Sequence, residues 1–451
     1  MLIVTDQIRL VVTGQPLVLS LVPLAVCILA VLVVGRLRNV SKDVVRGIGL
    51  TALFCVYGTL ASVVSGMGVN QVVAGWLAYT AFIPALLVFY AVGADQQLSH
   101  QVVKTVEFLL VSSSLVAFAQ QFGFLDSEFS QVLEETASIR GVAGIGTLFS
   151  YTPGPFRTAS VFSMFLAMGI LIYVSGQLKT MRSRQLLVLV LALVASLMAA
   201  RRAGLVLLVA AAFPYMVGSL RSRGTRVALA AFGVAAFFAF LVNPESGQEV
   251  EAKFLHATTH SGAKSRLAKT FTLNESDYSL LTGVGAGLGS FGIATRGGGR
   301  SVALRAKARL VAHPITHFGW FMDLAALGPV GFAIRLAAFF FLIRAVVPAR
   351  WNTSPGRWSG PFGIAASIGV YLFIAPSWLQ GVSGAVLFGA ALGFVTAKAE
   401  KHRAARTTPS PVQTPDDAQT SSDTSLAPTA RSRRGRLTST PRPTILPPRA
   451  R

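Results

Sequence analysis

The sequence predicts an all-α polytopic membrane protein of about eleven transmembrane helices (ten to twelve), with a large extracytoplasmic loop before the ninth span. Three observations lead there. Of 451 residues, 53% are hydrophobic and 13% charged, too apolar for an ordinary soluble enzyme. The apolar residues come in runs of about 16 to 22, the length of helix that crosses roughly 30 Å of hydrocarbon. The basic residues cluster in short connections and in the C-terminal tail, where charge orients a membrane chain. Lipid offers no partner for backbone N–H and C=O groups, so a bundle of helices is the form such runs take.

Spans are predicted at residues 17–35, 47–65, 72–92, 105–123, 158–176, 185–200, 203–219, 227–242, 316–343, 361–378 and 380–397. The first run lacks a basic leader and a small-residue cleavage site, so it reads as a span rather than a signal peptide. Arg36, Arg38, Lys42 and Arg46 form one basic connection; Lys179, Arg182 and Arg184 form a second. Arg221, Arg223 and Arg226 form a third, and Arg344, Arg350 and Arg357 a fourth. Alternating spans put all four on one side, the cytoplasm by the positive-inside tendency. A multi-pass protein of the plasma (inner) membrane follows, with its N-terminus outside and its C-terminus cytoplasmic.

The opposite face holds two long connections. Residues 124–157 start acidic (Asp126, Glu128, Glu134, Glu135) and end in Pro153-Gly-Pro155; residues 243–315 form the large loop. Arg201, Arg202 and the basic residues of the large loop break the charge rule on this face, and charges out of place at a membrane tend to be functional.

Residues 1–400 thus form a membrane domain and 401–451 a basic cytoplasmic tail. Lys398, Lys401, Arg403 and Arg406 stop translocation, and the Pro-, Ser-, Thr- and Arg-rich remainder has too few large apolar residues to bury a core, so it is expected to be disordered. Its Arg431–Arg436 cluster suits either anionic lipid headgroups or plain solvation. The net charge of +22 is explained by topology, so nucleic acid is not expected as a partner. Cys27 and Cys55 lie inside apolar runs and read as small packing residues. No internal repeat is visible, which counts against an inverted-repeat transporter.

Several residues could carry chemistry. Arg201 and Arg202 sit in a hairpin too short to be a loop. Forked guanidiniums grip phosphate oxygens bidentately, and the same residues could anchor helix ends to headgroups. Arg266, in Ser265-Arg-Leu-Ala-Lys269, fits a short interfacial helix, again with a lipid-resting alternative. Gly283-Val-Gly-Ala-Gly-Leu-Gly289 is no dinucleotide fingerprint, because neither a preceding strand nor a spaced acid accompanies it. Its glycines suit a tight turn whose N–H groups face a diphosphate, or a turn packed on the bundle. His256/His260 and His313/His317 each have i,i+4 spacing, but Pro314 interrupts the second pair and no further ligand completes a zinc set. Metal is therefore not expected, and a histidine at the mouth of a span fits acid–base work or a plain hydrogen bond. Asp323 and Arg335 lie inside the ninth span; on a straight helix they stand about 18 Å apart, so each needs a partner from another span.

In order, these features resemble the O-antigen ligase and O-antigen polymerase superfamily of bacterial envelope glycan enzymes. Met198-Ala-Ala-Arg-Arg-Ala-Gly204 is similar to the family's arginine at a central outer helix end, with alanine in place of serine. Arg266 followed by Gly283-Val-Gly285 is similar to its loop arginine and Gly-Val-Gly turn. His317, Trp320 and Gly328-Pro-Val-Gly331 match the spacing of a His-Asn start, an aromatic and a Gly-x-x-Gly. Phe318 replaces the asparagine, and Ala326 stands where an acid is common, with Asp323 one turn earlier as a substitute. The match spans roughly residues 185–345.

The resemblance implies a metal-independent, cofactor-free glycosyltransferase. Its donor would be a polyprenyl-diphosphate-linked glycan, drawn from membrane lipid, and its acceptor a glycan or lipid. His317 would be the catalytic residue; Arg201, Arg202, Arg266, Gly283, Gly285, His313 and Asp323 would contact substrate. Fixed positive groups suit a diphosphate leaving group, and an attacking hydroxyl needs alignment or a base. The alternative is a transporter or flippase of an amphipathic or anionic solute, with Arg201, Arg202, Asp323 and Arg335 as a charged path.

Overall fold

The computed structural model describes residues 40–64, 68–121, 124, 154–156, 159–176, 183–199, 202–219, 319–347, 358–373, 379 and 382–407. Of the described residues, 94% are helical, so this part of the chain is all-α. The helices are α1 (Lys42–Val64), α2 (Val69–Thr80), α3 (Phe82–Ala94), α4 (Gln96–Gln121), α5 (Ala159–Gly176), α6 (Ser183–Met198), α7 (Arg202–Ser219), α8 (Gly319–Val346), α9 (Ser359–Phe373) and α10 (Val382–Thr407). Among the described residues, five stretches are long and apolar enough to cross a membrane: Lys42–Val64, Gly75–Ala94, Gln96–Gln121, Ala159–Gly176 and Ala326–Val346. The chain is therefore a helical membrane protein. The spans expected at 17–35 and 227–242, the loop 243–315 and most of the tail lie outside the described residues.

Local chemistry accounts for the breaks between helices. Pro84 has no N–H to offer the Thr80 carbonyl, and the helix ladder is interrupted there: α2 and α3 are one apolar stretch divided at Ala81. Asp95 alone joins α3 to α4. Its Oδ1 accepts from the N–H groups of Gln97 (2.8 Å) and Leu98 (3.0 Å), capping α4. Gly154 takes φ +58 between two prolines, and its carbonyl accepts from Gln120 Nε2 at 2.9 Å, tying the Pro/Gly-rich end of the first long connection to α4.

α5 is the most enclosed span, packed by α4, α6, α7 and α9. It is apolar all round, as a helix wrapped by others must be. α8 lies along α1 and also contacts α9. Lipid-type faces remain on α1 (Leu53, Val56, Leu60, Val63) and α7 (Val206, Val209, Phe213). Some hydroxyls inside the bundle bond back along their own helices, Thr51 to the Gly47 carbonyl and Ser367 to the Gly363 carbonyl, which satisfies them without a partner from another span.

Charged residues knit one end of the bundle. Asp43 at the start of α1 pairs with Arg344 at the end of α8 (3.3 Å), and Arg184 of α6 pairs with Glu107 of α4 (2.6 Å). Tyr90 of α3 hydrogen-bonds Glu400 of α10. Arg403 of α10 donates to the carbonyls of Arg344, Ala345 and Val347 at the end of α8, where helix carbonyls run short of intrahelical donors; that of Arg344 also accepts from the Val347 N–H at 3.3 Å. Arg403→Ala is therefore expected to lower stability by about 1–2 kcal/mol, as loss of charged hydrogen bonds at a part-exposed site does. Truncation after Arg406 keeps that cap and should melt like the full chain. Thermal unfolding of the three proteins in one detergent checks this.

Candidate functional site

α8 is two helices in one span. Gly328 has φ 69 and ψ −178, a backbone state essentially reserved for glycine, and Pro329 follows without an N–H. The break separates a leading segment (residues 319–327) from a trailing segment (residues 329–346). Each segment carries one ionisable residue. Asp323, in the first, is 0% exposed and Arg335, in the second, 3% exposed.

Buried charges of this kind need partners from the bundle. The Tyr79 hydroxyl of α2 donates to Asp323 Oδ1 at 3.1 Å, and the Tyr371 hydroxyl of α9 donates to Oδ2 at 2.7 Å. Both carboxylate oxygens are thus held by other helices. Around the Arg335 Cζ, the ring centroids of Phe339, Tyr79, Phe54 and Tyr371 stand at 4.4, 5.0, 5.2 and 5.8 Å. Four rings on α1, α2, α8 and α9 enclose one guanidinium, an arrangement worth about 2 kcal/mol or more when desolvated. Arg335 Nε and Nη1 are buried without a hydrogen bond among the described residues, so the rings carry much of the charge's compensation.

The same two tyrosines serve both charges, presenting hydroxyls to Asp323 and rings to Arg335. The sequence expectation of partners from other spans holds for both residues. The expectation that the two cannot pair is met differently: they are not in direct contact, yet Tyr79 and Tyr371 join them, and Arg335 acts electrostatically on Asp323.

Close approaches fix the surroundings. A Cβ on Gly319 would overlap the Tyr371 carbonyl, so the leading segment of α8 lies directly on α9. A Cβ on Gly204 would overlap the Ser163 side chain, so α7 begins tight against α5. Gly331 lets Leu327 fold across the break, with the Tyr57 ring beside it. Ala326 is buried among Phe54, Cys55, Tyr79 and Leu327.

Of the residues singled out in the sequence, Arg201, Arg266, Gly283, Gly285, His313 and His317 lie outside the described residues. Arg202 is the first residue of α7, with its side chain outside them, and His317 precedes α8 by two residues. Among the described residues no group of three His, Cys, Asp or Glu could hold a metal; His256, His260, His313 and His317 are not among them. Sequence reasoning missed Phe54, Tyr79 and Tyr371. The available signal was tyrosine well inside apolar runs, where its hydroxyl must find a buried partner. No protein-family model matches the chain, and no curated protein matches it significantly.

Proposed function

We propose that the chain is a membrane glycosyltransferase of the O-antigen ligase and polymerase type, acting in cell-surface polysaccharide biosynthesis. It transfers a polyprenyl-diphosphate-linked glycan to a glycan or lipid acceptor on the extracytoplasmic face, without a metal. The observation that supports this best is the coincidence of motif and backbone: Gly328-Pro-Val-Gly331, placed after His317 and Trp320 as in that superfamily, falls at a real break in a membrane helix. In the reaction, an acceptor hydroxyl oxygen bonds to the anomeric carbon as that carbon's bond to the diphosphate breaks. His317 takes the hydroxyl proton, and Arg201, Arg202 and Arg266 neutralise the departing diphosphate. Gly283, Gly285 and His313 are assigned to substrate contact, the glycines for the close backbone approach that they allow.

In purified protein supplied with such a donor, His317→Ala is expected to cut transfer by about 10²–10⁴-fold, the usual weight of general base catalysis. His313→Ala should retain most activity, and EDTA should change neither protein. Equal rates for the His317 variant and the parent chain would remove this histidine from the mechanism. The broken span with buried charges also occurs in transporters. Solute flux into proteoliposomes without any glycan transfer would favour that second reading.

A further inference from the structure

We propose that Asp323, Arg335, Tyr79 and Tyr371 form a charge-neutral latch across the break in α8, and that its role in the transfer proposed above is to position the leading segment. Asp323 is wholly buried, and its two oxygens accept the two tyrosine hydroxyls, at 3.1 and 2.7 Å. The leading segment is short and cannot hold its own direction. A helix of two to three turns is marginal by itself, and the backbone at Gly328 severs it from the rigid trailing segment. What fixes it is lateral. Asp323 ties it to α2 and α9, and Gly319 seats it on the Tyr371 carbonyl.

Arg335 supplies the other half. A lone carboxylate at this depth would be held at great cost, and so would a lone guanidinium; each makes the other tolerable. The tyrosines transmit this across the break, because the rings that flank Arg335 carry the hydroxyls that hold Asp323. In sequence, the leading segment begins two residues after His317. All four are accordingly positioning residues, and the part of the inference that concerns transfer rests on the proposed function.

The test uses the full chain in lipid nanodiscs. Tyr79→Phe/Tyr371→Phe keeps all four rings and both charges and removes only the donors. Amide exchange in residues 319–327 should then quicken by about tenfold or more, while residues 330–346 exchange as before. Per folded molecule, kcat should fall about tenfold with the donor KM unchanged; counting folded molecules is what separates this from mere loss of protein, which also lowers the rate at constant KM. A second set covers poor folding: Asp323→Asn and Arg335→Gln should each cut folded yield roughly tenfold or more, and the double variant should recover most of it.

Unchanged exchange at 319–327, or equal quickening along all of α8, overturns the latch, as does a double variant no better than the worse single. Quickened exchange with unchanged kcat overturns the positioning role. Absence of transfer by the parent chain, with exchange and yields as expected, overturns the proposed function and supports the latch.

Discussion

Gly328→Ala is expected to destabilise the protein by about 2–3 kcal/mol, although it adds one methyl group in a helical span. Alanine at φ 69 and ψ −178 is strained whatever space surrounds it. Escape into ordinary helical angles would swing residues 319–327 and pull Asp323 away from Tyr79 and Tyr371. Strain and loss of a buried charge's partners then act together. Gly369→Ala in α9 is the matched control. A Cβ there meets nothing within 4 Å, so it should be neutral or slightly stabilising, because alanine favours helix by up to about 1 kcal/mol. Thermal unfolding of both variants in one detergent decides it. If Gly328→Ala melts with the parent chain, the break is not a requirement of the fold.

Much of the helical structure was legible because a membrane demands apolar length, and five described stretches have it; α6 and α9 are apolar but shorter. Boundaries were less so. The span expected from residue 105 belongs to α4, which begins at Gln96: Gln96–Lys104 is polar yet helical, started by the Asp95 cap rather than by hydropathy. Likewise α10 continues from its apolar part to Thr407 on charged residues, where Glu400 and Arg403 meet α3 and α8. Pro84 announced the Ala81 division, but an apolar window passes over it.

At the candidate site the asymmetry has one cause. A buried charge is visible in sequence because it violates hydropathy, so Asp323 and Arg335 stood out. Their partners do not violate anything. Tyr79 lies 244 residues from Asp323 and Tyr371 lies 48 away. Periodicity says which face of a helix is apolar but not which helices become neighbours. The straight-helix distance between the two charges also ignored the bridging reach of a tyrosine. The signal for the break is local, a glycine followed by a proline at Gly328-Pro329, and hydropathy alone passes over it.

Gly393→Ala is expected to cost about 3 kcal/mol, the upper range for overpacking, and Gly389→Ala nearly as much. Both glycines sit four residues apart on α10 and face α3: a Cβ on Gly389 would overlap the Phe82 carbonyl, and one on Gly393 the Leu86 carbonyl. Backbone cannot turn aside as a flexible side chain can. In lipid this contact matters more than its area suggests, because apolar side chains gain little by leaving hydrocarbon and helices adhere through close packing of small residues. Gly49→Ala in α1, where a Cβ meets nothing within 4 Å, should be harmless. The effect should also travel along α10. Displacing it from α3 strains the Tyr90–Glu400 bond and moves Arg403 off the end of α8. Gly393→Ala combined with Arg403→Ala should therefore cost clearly less than the two measured losses added together, since the first already releases much of what the second removes. Unfolding midpoints of the four proteins in the cycle measure this, and strict additivity would show that α10 is pinned to α8 independently of its glycine contact with α3.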